Sequence, residues 1–150
     1  MNLTDDNLKG AFDFTSIGVF GHSLGGATAG QLGFDEHFID AGINLDGFQF
    51  GDLINNKLKI PFMFISSNQE GDRYLRGSTF IASSQTDCYQ VVIGGFTHGS
   101  FTDLEYFLQG NREMMDLQRD LIKNFFDKYL KDKALDLKSM EVKYGNITVD

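Results

Sequence analysis

Gly21-His22-Ser23-Leu24-Gly25 sets a serine between two glycines, the spacing of a nucleophile. A serine hydroxyl at its ordinary pKa attacks poorly, so it needs an imidazole to take its proton and a carboxylate to hold that imidazole. The apolar run Ile17-Gly18-Val19-Phe20 leads into the serine, and small residues (Ala27, Thr28, Ala29, Gly30) follow it. This is the strand–turn–helix context of a nucleophile elbow. Such a turn strains the serine backbone and lifts the hydroxyl clear of the sheet. Glycine at 21 and at 25 is expected to avoid the clashes a Cβ would make there.

Three histidines compete for the role of base. His22 lies inside the elbow and cannot reach over its own neighbour. His37 sits in a polar segment and reads as a surface or loop residue. His98 follows a strand within the glycine-rich loop Gly94-Gly95-Phe96-Thr97-His98-Gly99, and it is the expected base. For the acid, Asp46 stands at a strand end with Gly47 after it, whereas Glu70 and Asp72 lie in the polar loop beyond the next strand. Many α/β-hydrolases draw their acid from that later loop, and spacing alone leaves the choice even. With Asp46 the chain order is Ser, Asp, His, the order of that class. The backbone N–H of Leu24, just after the serine, is the expected first donor to an oxyanion.

The elements that would position these groups are short and strongly apolar. Strands are predicted at Ser16–Phe20, Ala41–Leu45, Pro61–Ser66 and Gln90–Ile93, with Pro61 tolerable only at a strand start. A helix after the elbow is expected to stop at Gly33. Thr4–Leu8 and Arg73–Ser84 are weaker helical stretches. Met114, Leu117, Leu121, Ile122, Phe125, Tyr129 and Leu130 recur on one face of a long helix. Asn111 is its expected cap, and Lys131 and Lys133 suit its negative end. A short strand is expected at Glu141–Tyr144. Four buried strands separated by crossover-length segments predict an α/β fold: a mostly parallel sheet of about four strands with flanking helices. Catalysis then belongs at the carboxyl ends of the strands, where Ser23, Asp46 and His98 fall.

The 150 residues read as a single domain: a leader over 1–15, a core over 16–133 and a tail over 134–150. A net charge of -8 disfavours nucleic acid and anionic membranes as partners. The single cysteine, Cys88, rules out an internal disulfide and a Cys-based zinc cluster, and reads as a packed residue. The histidines lack ligand spacing, so neither a metal nor a cofactor is expected. No apolar run reaches the length of a membrane span, and the first ten residues are polar and acidic, unlike a secretory signal. Phosphate-loop spacing is absent too, since the glycines fall at 21, 25 and 26 with no lysine after them.

Four stretches together carry a resemblance: Gly-His-Ser-Leu-Gly-Gly-Ala-Thr-Ala from 21, Ala-Gly-Ile-Asn-Leu-Asp-Gly from 41, Pro-Phe-Met-Phe-Ile-Ser-Ser from 61, and Gly-Gly-Phe-Thr-His-Gly-Ser-Phe-Thr-Asp-Leu from 94. In order and separation, from about Ile17 to Leu104, the chain resembles the platelet-activating-factor acetylhydrolase family. That resemblance implies the later half of an α/β-hydrolase that cleaves esters with short or oxidised acyl chains without calcium, acting on small ester or phospholipid-like substrates. It maps the nucleophile onto Ser23, the base onto His98 and the acid onto Asp46. Phe48, Phe50, Phe96 and Phe101 flank the acid and base and are candidates for an acyl pocket or for core packing.

Members of that family carry early strands and a second oxyanion donor ahead of the elbow, and the leader here is too short to hold them. One lost donor costs about 2.7–4 kcal/mol of transition-state stabilisation. A central elbow strand left at an edge exposes apolar groups and invites pairing. The expectation is a missing amino-terminal segment or a homodimer through that edge. The alternative to a serine esterase is an impaired half-domain that serves assembly or binding.

Overall fold

The computed structural model describes residues 10–67 and 80–149. Five strands form one sheet in the order β1-β2-β3-β4-β5: β1 (Gly18–His22), β2 (Ala41–Leu45), β3 (Phe62–Ser67), β4 (Cys88–Ile93) and β5 (Ile147–Val149). The first four are parallel and in sequence order, and β5 runs antiparallel to β4. Register sets their carboxyl ends side by side: His22 pairs with Leu45, Leu45 with Ile65, and Ser67 with Ile93. The sheet is mostly parallel, as expected, and its fifth strand comes from the tail.

Side-chain alternation divides the core between two faces. Ala41, Ile43 and Leu45 of β2, with Met63, Ile65, Val91 and Ile93, meet Leu117, Leu121 and Phe125 of α3 (Arg112–Lys131). Leu137 and Met140 of α4 (Leu137–Tyr144) close the same cluster. On the opposite face Phe62 and Phe64 join Leu53, Leu58 and Phe80, and α1 (Leu24–Asp35) covers the elbow end. Burial follows position in the sheet. Every residue of β2 and β3 is buried, whereas β1, last in the row, leaves Gly18 and Phe20 exposed.

Two expectations need correction. Gly33 does not end α1, which runs on to Asp35; it is buried, and a Cβ there would stand 2.6 Å from Ile60 Cδ1. Its absent side chain serves close helix–sheet packing. Residues 141–144 are helical, not extended, and the tail's strand lies three residues later, held by Asn146 Nδ2 donating to Gly94 O and Gly94 N–H donating to Asn146 O. Phe96 and Phe101 are buried in the main cluster, which is the core-packing role of the two open to them. Phe48 is half-buried and Phe50 exposed.

The long helix begins at Asn111, whose side chain accepts from Met114 N–H, as its sequence predicts. A short α2 (Asp103–Gln109) joins it to the loop after β4. Of the weaker helical stretches, Phe80–Ser83 is helical; Thr4–Leu8 and residues 73–79 lie outside the described residues, as do Glu70 and Asp72.

Candidate active site

Ser23 is the residue between β1 and α1, and its backbone is held at φ 58°, ψ -121°. The turn is tied into the fold at both ends. Ser23 N–H donates to Leu45 O at 2.9 Å, and Ser23 O accepts from Ala27 N–H at 3.1 Å. A Cβ on Gly21 would run into the carbonyl of Gly25, so glycine at 21 is required by close approach. Gly25 differs from expectation: a Cβ there meets no heavy atom within 4 Å. The steric demand of this elbow is one-sided.

Asp46 follows β2 directly and also has positive φ, 52°. Among the described residues only Ser23, Asp46 and the helix-ending Asp132 are non-glycine residues with positive φ. Such conformations cost of order 1–3 kcal/mol and persist where neighbours over-determine them. The neighbours here are identifiable. Asp46 N–H donates to Ile65 O at 2.7 Å. Asn44 brackets the next residue, accepting from Gly47 N–H at 2.8 Å and donating to Gly47 O at 3.2 Å. A Cβ on Gly26 would strike that same Asn44 side chain, and one on Gly47 would strike Ser23 O. The elbow and the aspartate turn thus pack backbone against backbone, with buried Asn44 between them. Gln49, also buried, donates to Ala27 O at 2.9 Å and Phe50 O at 3.0 Å, fixing the following loop to α1.

His98 opens a single 3-10 turn, His98–Phe101, after β4. Thr97 and Ser100 form a reciprocal capping box, and Gln118 of α3 donates to Ser100 O at 2.6 Å. Phe101 is buried beside Phe96 with ring centroids 5.4 Å apart, which anchors the turn in the core.

These three placements bring the side chains into one hydrogen-bonded line. His98 Nδ1 lies 2.7 Å from Asp46 Oδ2, and His98 Nε2 lies 3.0 Å from Ser23 Oγ. A carboxylate only accepts, so the tautomer that fits carries its proton on Nδ1 and leaves Nε2 to accept from the serine hydroxyl. The Asp46 side chain is wholly buried, whereas that of His98 is 38% exposed, so the line runs from the interior to the surface. Leu24 is the first residue of α1, so its N–H has no acceptor within the helix.

The other histidines separate clearly. His37 is exposed in a turn. His22 packs its ring against His98, centroids 4.5 Å apart, and stacks on Phe101 at 6.0 Å. It does not reach Ser23 as a base, yet it forms part of the wall behind the imidazole. Sequence reasoning passed over that contact, along with Asn44, Ser67 and Gln118. Their signals are faint: a polar residue in an apolar strand, a hydroxyl at a strand end, and an amide beside a helix's apolar stripe. Cys88 is packed at the edge of the Phe62–Phe64 cluster, where burial pushes its thiol up to about 12. Among the described residues no His, Cys, Asp and Glu side chains gather as a metal site requires.

Residues 2–121 match the family described as platelet-activating factor acetylhydrolase, isoform II. The platelet-activating factor acetylhydrolase of Cavia porcellus is 28% identical over 110 residues, covering 71% of this chain and 25% of that protein. Its Bos taurus counterpart is 29% identical over 110 residues, covering 67% and 23%. The chain therefore spans about a quarter of the length of the curated relatives it matches. Among solved structures, a ferulic acid esterase from Streptomyces cinnamoneus superposes with a TM-score of 0.79 at 21% identity, over 91% of this chain and 47% of that one. A Pyrococcus horikoshii acylaminoacyl peptidase gives 0.65 at 16% identity, over 89% and 27%. These two likenesses establish the fold as that of the α/β-hydrolases. With four-fifths of its residues matched, the chain belongs to the platelet-activating factor acetylhydrolase, isoform II, family.

Proposed function

We propose that the chain carries the catalytic triad of a serine ester hydrolase, with Ser23 as nucleophile, His98 as general base and Asp46 as the acid that orients it. The observation that carries this reading is the unbroken line Ser23 Oγ–His98 Nε2 at 3.0 Å and His98 Nδ1–Asp46 Oδ2 at 2.7 Å. Those separations are within reach for proton transfer. Attack by Ser23 Oγ on an ester carbonyl passes the hydroxyl proton to His98 Nε2 and places negative charge on the carbonyl oxygen. Leu24 N–H, at the positive end of α1, is the first donor to that oxyanion. Asp46 stabilises the imidazolium without taking its proton. Collapse of the tetrahedral adduct expels the alcohol, which receives the proton from His98, and leaves an acyl group on Ser23. Water repeats the sequence and frees the acid.

Kinship with acetylhydrolases and the likeness to an esterase support a small ester with a short acyl chain, phospholipid-like in its leaving group, as the substrate class. No metal or cofactor enters this scheme. A fluorophosphonate tests it directly. The expected result is a single covalent adduct on Ser23, with Ser23→Ala abolishing both the adduct and the hydrolysis of a short aryl ester by a factor on the order of 10⁴ to 10⁶. Unchanged ester hydrolysis by Ser23→Ala overturns the assignment. The exposed β1 edge supports a second reading, a half-domain used in assembly; that reading gains if the folded chain takes no adduct.

A further inference from the structure

Asp46 has two carboxylate oxygens, and His98 engages only Oδ2. Oδ1 accepts twice from one residue: Ser67 N–H at 3.0 Å and Ser67 Oγ–H at 3.0 Å. Both residues are buried, and Ser67 ends β3, a different strand from the one that carries Asp46. The carboxylate turns about a terminal bond with broad, weak torsional preference, so a single bond to a part-exposed imidazole does not fix its plane. Two donors converging on the other oxygen do. They also supply hydrogen-bond partners, which a buried polar group requires.

We infer that Ser67 is a positioning residue of this site: its hydroxyl and backbone N–H together hold the Asp46 carboxylate in the plane that aims Oδ2 at His98 Nδ1. The inference rests on the triad proposed above. The backbone supports the same geometry, because Asp46 N–H is bonded to Ile65 O on the same strand. Main chain and side chain of the acid are thus both tied to the end of β3. His98, 75 residues beyond Ser23, is aligned from the sheet side through that carboxylate. The bonds that Ser67 makes toward the site go to Asp46 and not to Ser23, so it acts on the serine through the acid.

The test separates the hydroxyl from the N–H, which the variants named here retain. Ser67→Ala removes one of the two donors, and Ser67→Thr keeps the hydroxyl. The expected result for Ser67→Ala is fluorophosphonate inactivation slowed about tenfold at saturation, the worth of one charge-assisted bond, with the half-saturating concentration unchanged. In ¹H–¹⁵N spectra of the full chain, the His98 Nδ1 proton resonance should broaden or vanish in Ser67→Ala and return in Ser67→Thr. A merely structural role would lower the melting temperature without moving that resonance. If Ser67→Ala does not fold, Ser67→Cys, a weaker donor of similar size, gives the same comparison. Wild-type rate and an unshifted resonance in the hydroxyl-less variant overturn the inference. If the wild-type chain takes no adduct, the triad reading fails by itself, and the resonance still decides whether Ser67 sets the Asp46–His98 bond.

Discussion

Ser23 and Asp46 carry the two strained backbones at the site, and each is held by bonds from the neighbouring strand. Strain of this kind is stable only while those bonds persist, so the site depends on hydrogen bonds as much as on side-chain identity. Cys88 illustrates the opposite case, a reactive group type silenced by its surroundings. Burial against the Phe62–Phe64 cluster pushes its thiol up to about 12, so the nucleophilic thiolate is scarce at neutral pH. Ellman's reagent at pH 8 should therefore react with Cys88 slowly in the folded chain and at the rate of a free thiol in denaturant. Equal rates in both states would show that the packing is not protective.

At the scale of elements, α3 does most of the covering of one sheet face and also secures the His98 turn through Gln118. Its carboxyl end is fastened by a charge cluster. Asp127, itself buried, accepts from Lys123 at 2.8 Å, Lys131 at 2.9 Å and Lys133 at 3.0 Å. These three ammonium groups hold the Asp127 carboxyl well below the usual carboxylate range. A carboxylate with a depressed folded-state pKa contributes stability above its unfolded value of about 3.9, and that contribution is lost as pH falls toward the folded value. Asp127→Asn should therefore lower the melting temperature at pH 7 by several degrees, and the gap to wild type should start to narrow below about pH 4 and go on shrinking as the pH falls toward the folded value. A gap that stays constant across that range would assign the loss to packing instead of charge.

At the scale of the whole molecule, β1 stands at one end of the row of described strands and is partly exposed. Among the described residues the sheet ends there, with Phe20 55% exposed, and Phe12 and Phe14 are exposed in the segment leading into it. Neighbouring β2 has every residue buried. An open edge with apolar flanks is a template for another strand. The 150-residue chain is accordingly predicted to self-associate through β1. Sedimentation velocity should show concentration-dependent association of wild type, weakened about tenfold or more by Phe20→Lys, since edge lysines oppose strand pairing. A wild-type chain that stays monomeric at high micromolar concentration would remove self-association. Among the described residues no helix is long and apolar enough to cross a membrane.

What could be read in the sequence was what depends on neighbours in the chain. An apolar run, a glycine-flanked serine and a small-residue helix are local features, and they located the elbow and three of the strands' ends. The cap at Asn111 and the stripe from Met114 to Leu130 are local in the same sense, and the long helix appears where they predict it. Family motifs singled out Asp46 over Glu70 and Asp72, a choice that spacing left even. Tertiary structure alone decided what depends on distance across the sheet. The parallel register brings Leu45, Ile65 and Val91 level, so that Ser23, Asp46 and His98 meet across 75 residues of chain. It turned Gly33 from a helix stop into a packing contact, moved the tail's strand to Ile147–Val149, and placed Phe96 and Phe101 in the core. Ser67 and Asn44 were invisible for the same reason. A hydroxyl or amide matters here only through the carboxylate or backbone turn it meets, and folding alone determines that partner.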